Sequence, residues 1–346
     1  MKLIIPLAGF GSRMRPHTWT KPKPLLNVAG KPFLGHLLDQ FASLQIEELI
    51  IIYGWLGDQI QAYVQANYAH LHPKFVEQRE LKGQSHALWL AREHLQGDGI
   101  IIFVDTFFEA DLSFLSSPQT IGQTQPLQVD GIAFIKQVDD PRRFGVVETT
   151  KDGYIARFVE KPRSIDNRQV VIGFYWVRDL AWMVQCIEEQ MATGQMFNGE
   201  YFLTHTFQIM IQHGARFRLH AVDVWQDMGK PETTLHTNRY LLDHGRDNTA
   251  QVHAPRAVIV PPVYIAPDAD LEDAIIGPYA NICSKAKIRN AIVRNSIVDA
   301  GAVIEDILLE GSLIGENAHV KGQPTRLNIG NSATAGLEYT VDESWF

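Results

Sequence analysis

Leu3-Ile4-Ile5-Pro6-Leu7-Ala8-Gly9-Phe10-Gly11-Ser12-Arg13-Met14-Arg15-Pro16 decides the fold, with its continuation through Thr20-Lys21-Pro22-Lys23-Pro24-Leu25-Leu26 to Gly30-Lys31-Pro32. The short apolar run Leu3–Leu7 predicts a buried first strand of a parallel sheet. Gly9 and Gly11 predict a turn whose amides face an anion without Cβ obstruction. A dinucleotide-binding turn would continue into a third glycine and a helix. Here Met14 holds the third-glycine position, and Pro16, Pro22 and Pro24 exclude a regular helix. No Gly-Lys-Ser/Thr follows at the spacing of a P-loop. What remains is a glycine turn running into an irregular arm that carries Arg13, Arg15, Lys21 and Lys23. Such an arm suits a polyphosphate; a solvated basic loop is the plainer alternative.

Outward from the arm, the spacing of Phe33, Leu34, Leu37, Leu38, Phe41 and Leu44 predicts a helix, and Leu49–Tyr53 a second buried strand. Gly57–Tyr68 reads as a helix, Lys74–Val76 as a short strand and Ile100–Val104 as a central strand ending in Asp105. This alternation predicts an α/β fold, a doubly wound Rossmann-like sheet with ligands at the carboxyl ends of its strands. A carboxylate at the end of a buried strand is costly unless something pairs with it. Gly83 breaks the polar run Glu77–Lys82 before a helix beginning near Gln84. Phe144–Glu148 and Phe158–Pro162 read as strands flanking a Lys151-Asp152-Gly153 turn.

From about Gln251 the composition shifts. Val263-Tyr264-Ile265-Ala266-Pro267-Asp268-Ala269, Val298-Asp299-Ala300-Gly301-Ala302 and Ile314-Gly315-Glu316-Asn317-Ala318 share an aliphatic residue, then Gly or Asp, then a small residue. Recurrence on a six-residue frame predicts a short left-handed parallel β-helix of about four coils. The expected domains are residues 1–247, a catalytic domain, 248–330, the hexapeptide-repeat β-helix, and 331–346, a tail in which Trp345 and Phe346 tuck onto a subunit.

Composition narrows the class. A chain of 346 residues is too long for one ordinary core. The net charge of −8 argues against nucleic acid as the main partner. Two cysteines, Cys186 and Cys283, are too few for a disulfide framework and suit a reducing cytoplasm. Met1 runs at once into a core-like strand, leaving no room for a signal peptide, and no apolar run approaches the length of a membrane span. A cytoplasmic protein without a membrane partner is expected. Open coil ends of the β-helix invite pairing, so a homo-oligomer is expected as well.

The pattern Gly9-x-Gly11-Ser12-Arg13-Met14-x-Pro16-x-Thr18, then Lys23-Pro24-Leu25-Leu26 and Lys31-Pro32, resembles the signature of sugar-1-phosphate nucleotidyltransferases. Glucose-1-phosphate thymidylyltransferases and mannose-1-phosphate guanylyltransferases are the most similar in pattern. The resemblance implies that Arg13 and Lys23 grip a nucleoside triphosphate over the binding turn of Leu7, Ala8, Gly9, Gly11 and Ser12. It implies that Gln78 and the backbone at Gly83 read the base. It makes Asp105 and Asp227 the ligands of Mg2+, the latter within Trp225-Gln226-Asp227-Met228-Gly229-Lys230-Pro231-Glu232. It gives Glu160 to the sugar hydroxyls and Lys161 to the sugar phosphate, with Gly145 and Gly173 completing that pocket. Asn198-Gly199-Glu200-Tyr201-Phe202-Leu203-Thr204-His205 is similar to a further family stretch, with Asn198 in place of its arginine and His205 in place of its aspartate. Phe10 and Val104 stand where the family has glycine. The implied reaction joins a nucleoside triphosphate to a sugar 1-phosphate, giving a nucleotide sugar and pyrophosphate. As the family reads it, Gln78 suits a pyrimidine: dTTP or UTP with glucose 1-phosphate, the competitor being GTP with mannose 1-phosphate. Two further readings stay open. One is acyl transfer at His319 in the β-helix; the other is a non-catalytic regulatory subunit that binds nucleotide sugars.

Overall fold

Leu3, Ile4 and Ile5 carry no exposed surface, so the opening strand is buried on both faces as its unbroken apolar run requires. The structure is a computed structural model and describes residues 1–116, 129–194 and 196–323. The chain divides into two units, Met1–Leu25 with Phe33–Asp227, and Leu26–Pro32 with the chain from Met228. Trp345 and Phe346, expected to tuck onto a subunit, lie outside the described residues.

In the first unit, β1 (Lys2–Pro6), β2 (Glu48–Tyr53), β3 (Lys74–Glu77) and β4 (Gly99–Ile102) make a parallel core in the order β3-β2-β1-β4. Helices α1 (Phe33–Asp39), α2 (Gly57–Tyr68) and α3 (Gln84–Leu90) punctuate it. The helix predicted to reach Leu44 stops at Asp39 and continues as turns. Beyond β4 the sheet is mixed. It continues through β6 (Gly131–Gln137), the hairpin β7 (Gly145–Thr149) and β8 (Ile155–Glu160), β9 (Gln169–Val177) and β10 (Phe217–Ala221). β9 runs antiparallel to β4 and to β6. A separate two-stranded ribbon joins β5 (Thr106–Glu109) to β11 (Val224–Asp227). Helix α4 (Leu180–Thr193) is capped by Asp179, whose carboxylate accepts from the Trp182 amide at 3.0 Å. It packs with α5 (Leu203–Gln212) on one core that includes Met183, Ile187, Leu203 and Phe207. Burying each such side chain stabilises by about 1.5–3 kcal/mol.

The strand predicted to run through Val104 ends instead at Ile102. The cause lies in β9, whose pairing with β6 shifts register between Val171 and Tyr175. Gly173 adopts φ +75° there, a bulge that glycine accommodates. The carbonyl of Gly173 accepts from the Phe103 amide at 2.9 Å, and the Thr106 hydroxyl donates to the Ile172 carbonyl at 2.7 Å. The turn holding Asp105 is thus pinned on both sides.

In the second unit, three parallel four-stranded sheets build the faces of the left-handed β-helix. Residues in register lie seventeen or sixteen apart, as in Val258 with Ile275 and Ile292 with Leu308. The coil is therefore slightly shorter than three full hexapeptides. Ile276, Ile282, Ile288, Val293, Val298 and Ile304 stack inward with no exposed surface. One outer face carries charge ladders, among them Arg289 with Asp270 and Glu272. His319 is exposed on that face, with Nε2 3.3 Å from the Glu305 carboxylate. The corners use left-handed residues, Asp273, Asn290 and Asp306 at one of them, types that tolerate this conformation. Gly277 sits at φ +102°, and a Cβ there would meet the Val260 carbonyl oxygen at 1.9 Å. Gly277→Ala is expected to destabilise the β-helix by at least about 2 kcal/mol. A thermal melt with a midpoint equal to wild type would contradict this reading of the corner.

Candidate active site

The residues that the sequence assigns to nucleotidyl transfer fall in the first unit, and most of them collect at the carboxyl edge of its parallel strands. Leu7 follows β1 directly, and its amide bonds the Ile52 carbonyl of β2 at 2.8 Å. Gln78 follows β3, and its amide bonds the Tyr53 carbonyl at 2.8 Å. Asp105 lies beyond β4. Edges of this kind are where open α/β sheets bind ligands.

The glycine turn is built as its residues require. Leu7 and Ala8 are buried, while Gly9, Phe10 and Ser12 are exposed. Gly11 adopts φ +62°, and its carbonyl accepts from the Met14 amide and the Thr18 hydroxyl, each at 2.9 Å. Met14, at 1% exposed, and Thr18 anchor the arm below, which forms only short 3-10 turns, as its prolines demand. Phe10 packs edge-on against Trp55, with ring centroids 5.9 Å apart.

Three cations of the arm, Lys23, Arg13 and Arg15, take different positions. Lys23 Nζ lies 3.1 Å from Asp105 Oδ2. Burial works to raise the Asp105 carboxyl. The Lys23 ammonium, with a further contribution from Arg13, outweighs it and holds the group below the ordinary carboxylate range. Arg15 instead stacks its guanidinium 3.9 Å over the Trp19 ring. Across the ribbon of β5 and β11, Asp227 pairs in register with Thr106, the residue next to Asp105. Two carboxylates from separate segments therefore stand beside the same turn.

That donor set bears on a metal. The family that the sequence resembles generally uses a divalent metal. Among the described residues no group of three or more His, Cys, Asp or Glu could hold an ion. Two carboxylates of hard oxygen fit a cation that keeps several waters and takes phosphate oxygens. Asp105 stays ionised and already attracts one cation, the Lys23 ammonium.

A second cluster surrounds Glu160. It pairs in register with Gly145 across the β7–β8 hairpin. A Cβ on Gly145 would stand 3.1 Å from Glu160 Oε2 and 3.0 Å from Val171 Cγ2. The Thr204 hydroxyl donates to Glu160 Oε2 at 3.4 Å. Desolvation raises the Glu160 carboxyl, with Lys161 and Thr204 opposing. Lys161 is exposed, its amide tied to the Phe144 carbonyl at 2.9 Å. Its ammonium rests 5.1 Å from the centre of the Phe202 ring and 5.7 Å from that of Phe197.

One segment links this cluster to Gln78 and Gly83, the residues expected to read the base. The Tyr201 amide bonds the Lys82 carbonyl at 2.8 Å, and the Tyr201 carbonyl accepts from the Ser85 amide at 3.0 Å. Phe197, Tyr201, Phe202 and Thr204 thus connect the loop around Gly83 to Glu160 and Lys161. Sequence reasoning did not assign a role to Phe197, Phe202 or Thr204. Their signal was two aromatics flanking an Asn-Gly turn.

Among the described residues no helix is long and apolar enough to cross a membrane. A family model described as nucleotidyl transferase matches residues 2–244, most of the chain. The chain is 29% identical over 235 residues to a UTP–glucose-1-phosphate uridylyltransferase of Haloferax volcanii, covering 67% of this chain and 93% of the relative. It is 27% identical over 342 residues to a glucose-1-phosphate thymidylyltransferase of Streptomyces antibioticus, covering 92% and 93%. A crystal structure of UDP-glucose pyrophosphorylase complexed with UDP-glucose shares the fold, with a TM-score of 0.59 and 20% identity over 70% of this chain and 98% of that one. Glycine turn, arm cations, paired carboxylates and family match converge: the chain belongs to the nucleotidyl transferase family.

Proposed function

We propose that this nucleotidyltransferase joins a nucleoside triphosphate to a sugar 1-phosphate and releases pyrophosphate. dTTP or UTP with glucose 1-phosphate is the pair we favour. The observation that carries the reading is the convergence of Lys23 and Arg13 on Asp105, with Asp227 one residue away across the ribbon. The relatives named for uridylyl and thymidylyl transfer to glucose 1-phosphate support the substrate pair.

A sugar phosphate is anionic at neutral pH, so the attack needs no general base. One of its oxygens bonds to the α-phosphorus as the α–β bridging bond breaks, and the electron pair leaves with pyrophosphate. The chain's work is positioning and charge neutralisation. Arg13 and Lys23 offset charge on the departing pyrophosphate. Glu160 accepts from sugar hydroxyls, and Lys161 holds the attacking phosphate. Its contact with the two rings is worth about 0.5–2 kcal/mol, small beside the pull of a phosphate dianion. Asp105 and Asp227 would hold the divalent cation, Mg2+ in our reading, which supplies further neutralisation of phosphate charge.

We also read the chain as a cytoplasmic homo-oligomer. Its two cysteines are buried and unbridged. Val258, Ile275, Ile292 and Leu308 form an in-register aliphatic row along one outer face of the β-helix. Three of the four are at least 39% exposed, as an association surface would be.

The test is pyrophosphate release with magnesium, crossing nucleoside triphosphates against glucose, mannose and N-acetylglucosamine 1-phosphates. One pair turning over above the rest supports the reading. Release from none of them, with nucleotide still bound, would sink it in favour of a regulatory role. Gly145→Ala should push the Glu160 carboxylate aside and raise KM for the sugar phosphate about fivefold or more, leaving KM for the triphosphate unchanged. An equal rise in both would place Gly145 outside the sugar pocket.

A further inference from the structure

Gln78 is 5% exposed, and its side-chain Nε2 has two neighbours, the Gly83 carbonyl oxygen and His86 Nδ1, each at 3.2 Å. A carbonyl oxygen only accepts, so the amide nitrogen rather than the amide oxygen must face Gly83. Its second hydrogen then points to His86 Nδ1, which accepts only if the imidazole is neutral and carries its proton on Nε2. Burial lowers the His86 pKa and favours that neutral ring. The Lys82 charge acts the same way, while Glu80 opposes through its charge and its backbone carbonyl. Trp89 stacks on the imidazole at 6.3 Å with planes 22° apart and limits its rotation. The Gly83 carbonyl also accepts from the Ala87 amide at 3.1 Å and engages only one of the two amide hydrogens, so His86 supplies the second hold on the carboxamide.

We propose that His86 is a positioning residue for base selection: it holds the Gln78 amide nitrogen inward and leaves Oε1 as the acceptor shown to an incoming base. The inference rests on the nucleotidyltransfer reading above. No described residue donates to Oε1, and none accepts from the Gly83 amide. An acceptor beside a donor complements a base edge on which a ring N–H lies next to a carbonyl, as in uracil, thymine and guanine. Cytosine and adenine present the reverse, a ring acceptor next to an amino group. With Oε1 fixed outward they would meet like with like, the kind of mismatch that buried polar sites reject strongly. Without His86 only the Gly83 carbonyl still opposes the turned-over carboxamide, so the conformer that presents Nε2, which suits the wrong bases, gains population.

The experiment compares wild type, His86→Phe and His86→Gln in pyrophosphate release and in equilibrium binding of UTP, dTTP, GTP, CTP and ATP. Phenylalanine keeps the bulk and the stacking partner but has no acceptor. It should raise KM for the preferred triphosphate about tenfold, the worth of one neutral hydrogen bond, with kcat within about threefold. The preference over CTP and ATP should fall about tenfold or more. Glutamine at this position offers an oxygen acceptor and should restore much of that preference. Unchanged discrimination in His86→Phe would overturn the proposal, as would an equal loss for all five triphosphates that glutamine does not rescue. Should wild type bind UTP over CTP without turnover, and His86→Phe erase that difference, the positioning role stands and the transferase reading falls. Binding of none of the five overturns both.

Discussion

Asp105→Asn slows pyrophosphate release by about 10²–10³ at saturating substrates, the range seen when one preorganised charge is taken from a phosphoryl-transfer site. Asparagine keeps the shape and one acceptor, so the turn pinned by Phe103 and Thr106 to the β9 bulge should persist. What disappears is the negative charge that Lys23 contacts at 3.1 Å and that Arg13 also feels. If Asp105 helps hold the divalent cation, the variant also needs more magnesium to reach its half-maximal rate. An Asp105→Asn enzyme within a few-fold of wild type, with an unchanged magnesium requirement, removes this residue from the mechanism. Stability supplies an independent check with a definite sign. The folded-state pKa of Asp105 lies below that of the unfolded chain, so its ionised form contributes stability above the ordinary carboxylate range. That contribution is lost as pH falls through the lowered value. The gap in melting temperature between wild type and variant should therefore be widest near neutrality and close in acid.

The elements legible in the sequence are those whose cause is local. An apolar run with a double-glycine turn and three prolines determines strand, turn and irregular arm without reference to anything distant, and the arm indeed forms only 3-10 turns. The β-helix was readable for the same reason, since each coil repeats its own inward aliphatic and its own corner. What escaped depends on partners remote in sequence. The end of β4 at Ile102 is imposed by a bulge in β9, some seventy residues on, and no local signal marks it. The segment around Tyr201 looked like a family stretch missing its arginine. Its part in the fold comes from backbone bonds to Lys82 and Ser85 and from the rings beneath Lys161, which substitution of Asn198 leaves untouched. His86 is silent in the sequence, because a histidine inside a short helix carries no ligand signal until Gln78 is seen beside it.

Arg13→Ala and Arg15→Ala, two residues apart in one basic arm, should part company sharply. Charge counting treats them alike, and both are exposed. The geometry does not. Arg13 contributes to the field on Asp105, whereas the Arg15 guanidinium lies 3.9 Å over the ring of Trp19, the last residue of the short 3-10 turn His17–Trp19. Arg13→Ala should cost about 10²–10³ in kcat/KM for the triphosphate, since in the proposed mechanism its guanidinium offsets charge on the departing pyrophosphate. Arg15→Ala forfeits an exposed cation–π contact worth about 0.5–1 kcal/mol and should leave the rate within about threefold. Salt separates the two further. Loss of a cation that meets phosphate should flatten the ionic-strength dependence of kcat/KM, and only Arg13→Ala should show that flattening. Equal losses from both substitutions would mean that the arm acts as a diffuse basic surface and that the Arg15–Trp19 stack opens when the nucleotide arrives. A large loss from Arg15→Ala alone would reverse the assignment and make Arg15 the residue that grips the triphosphate.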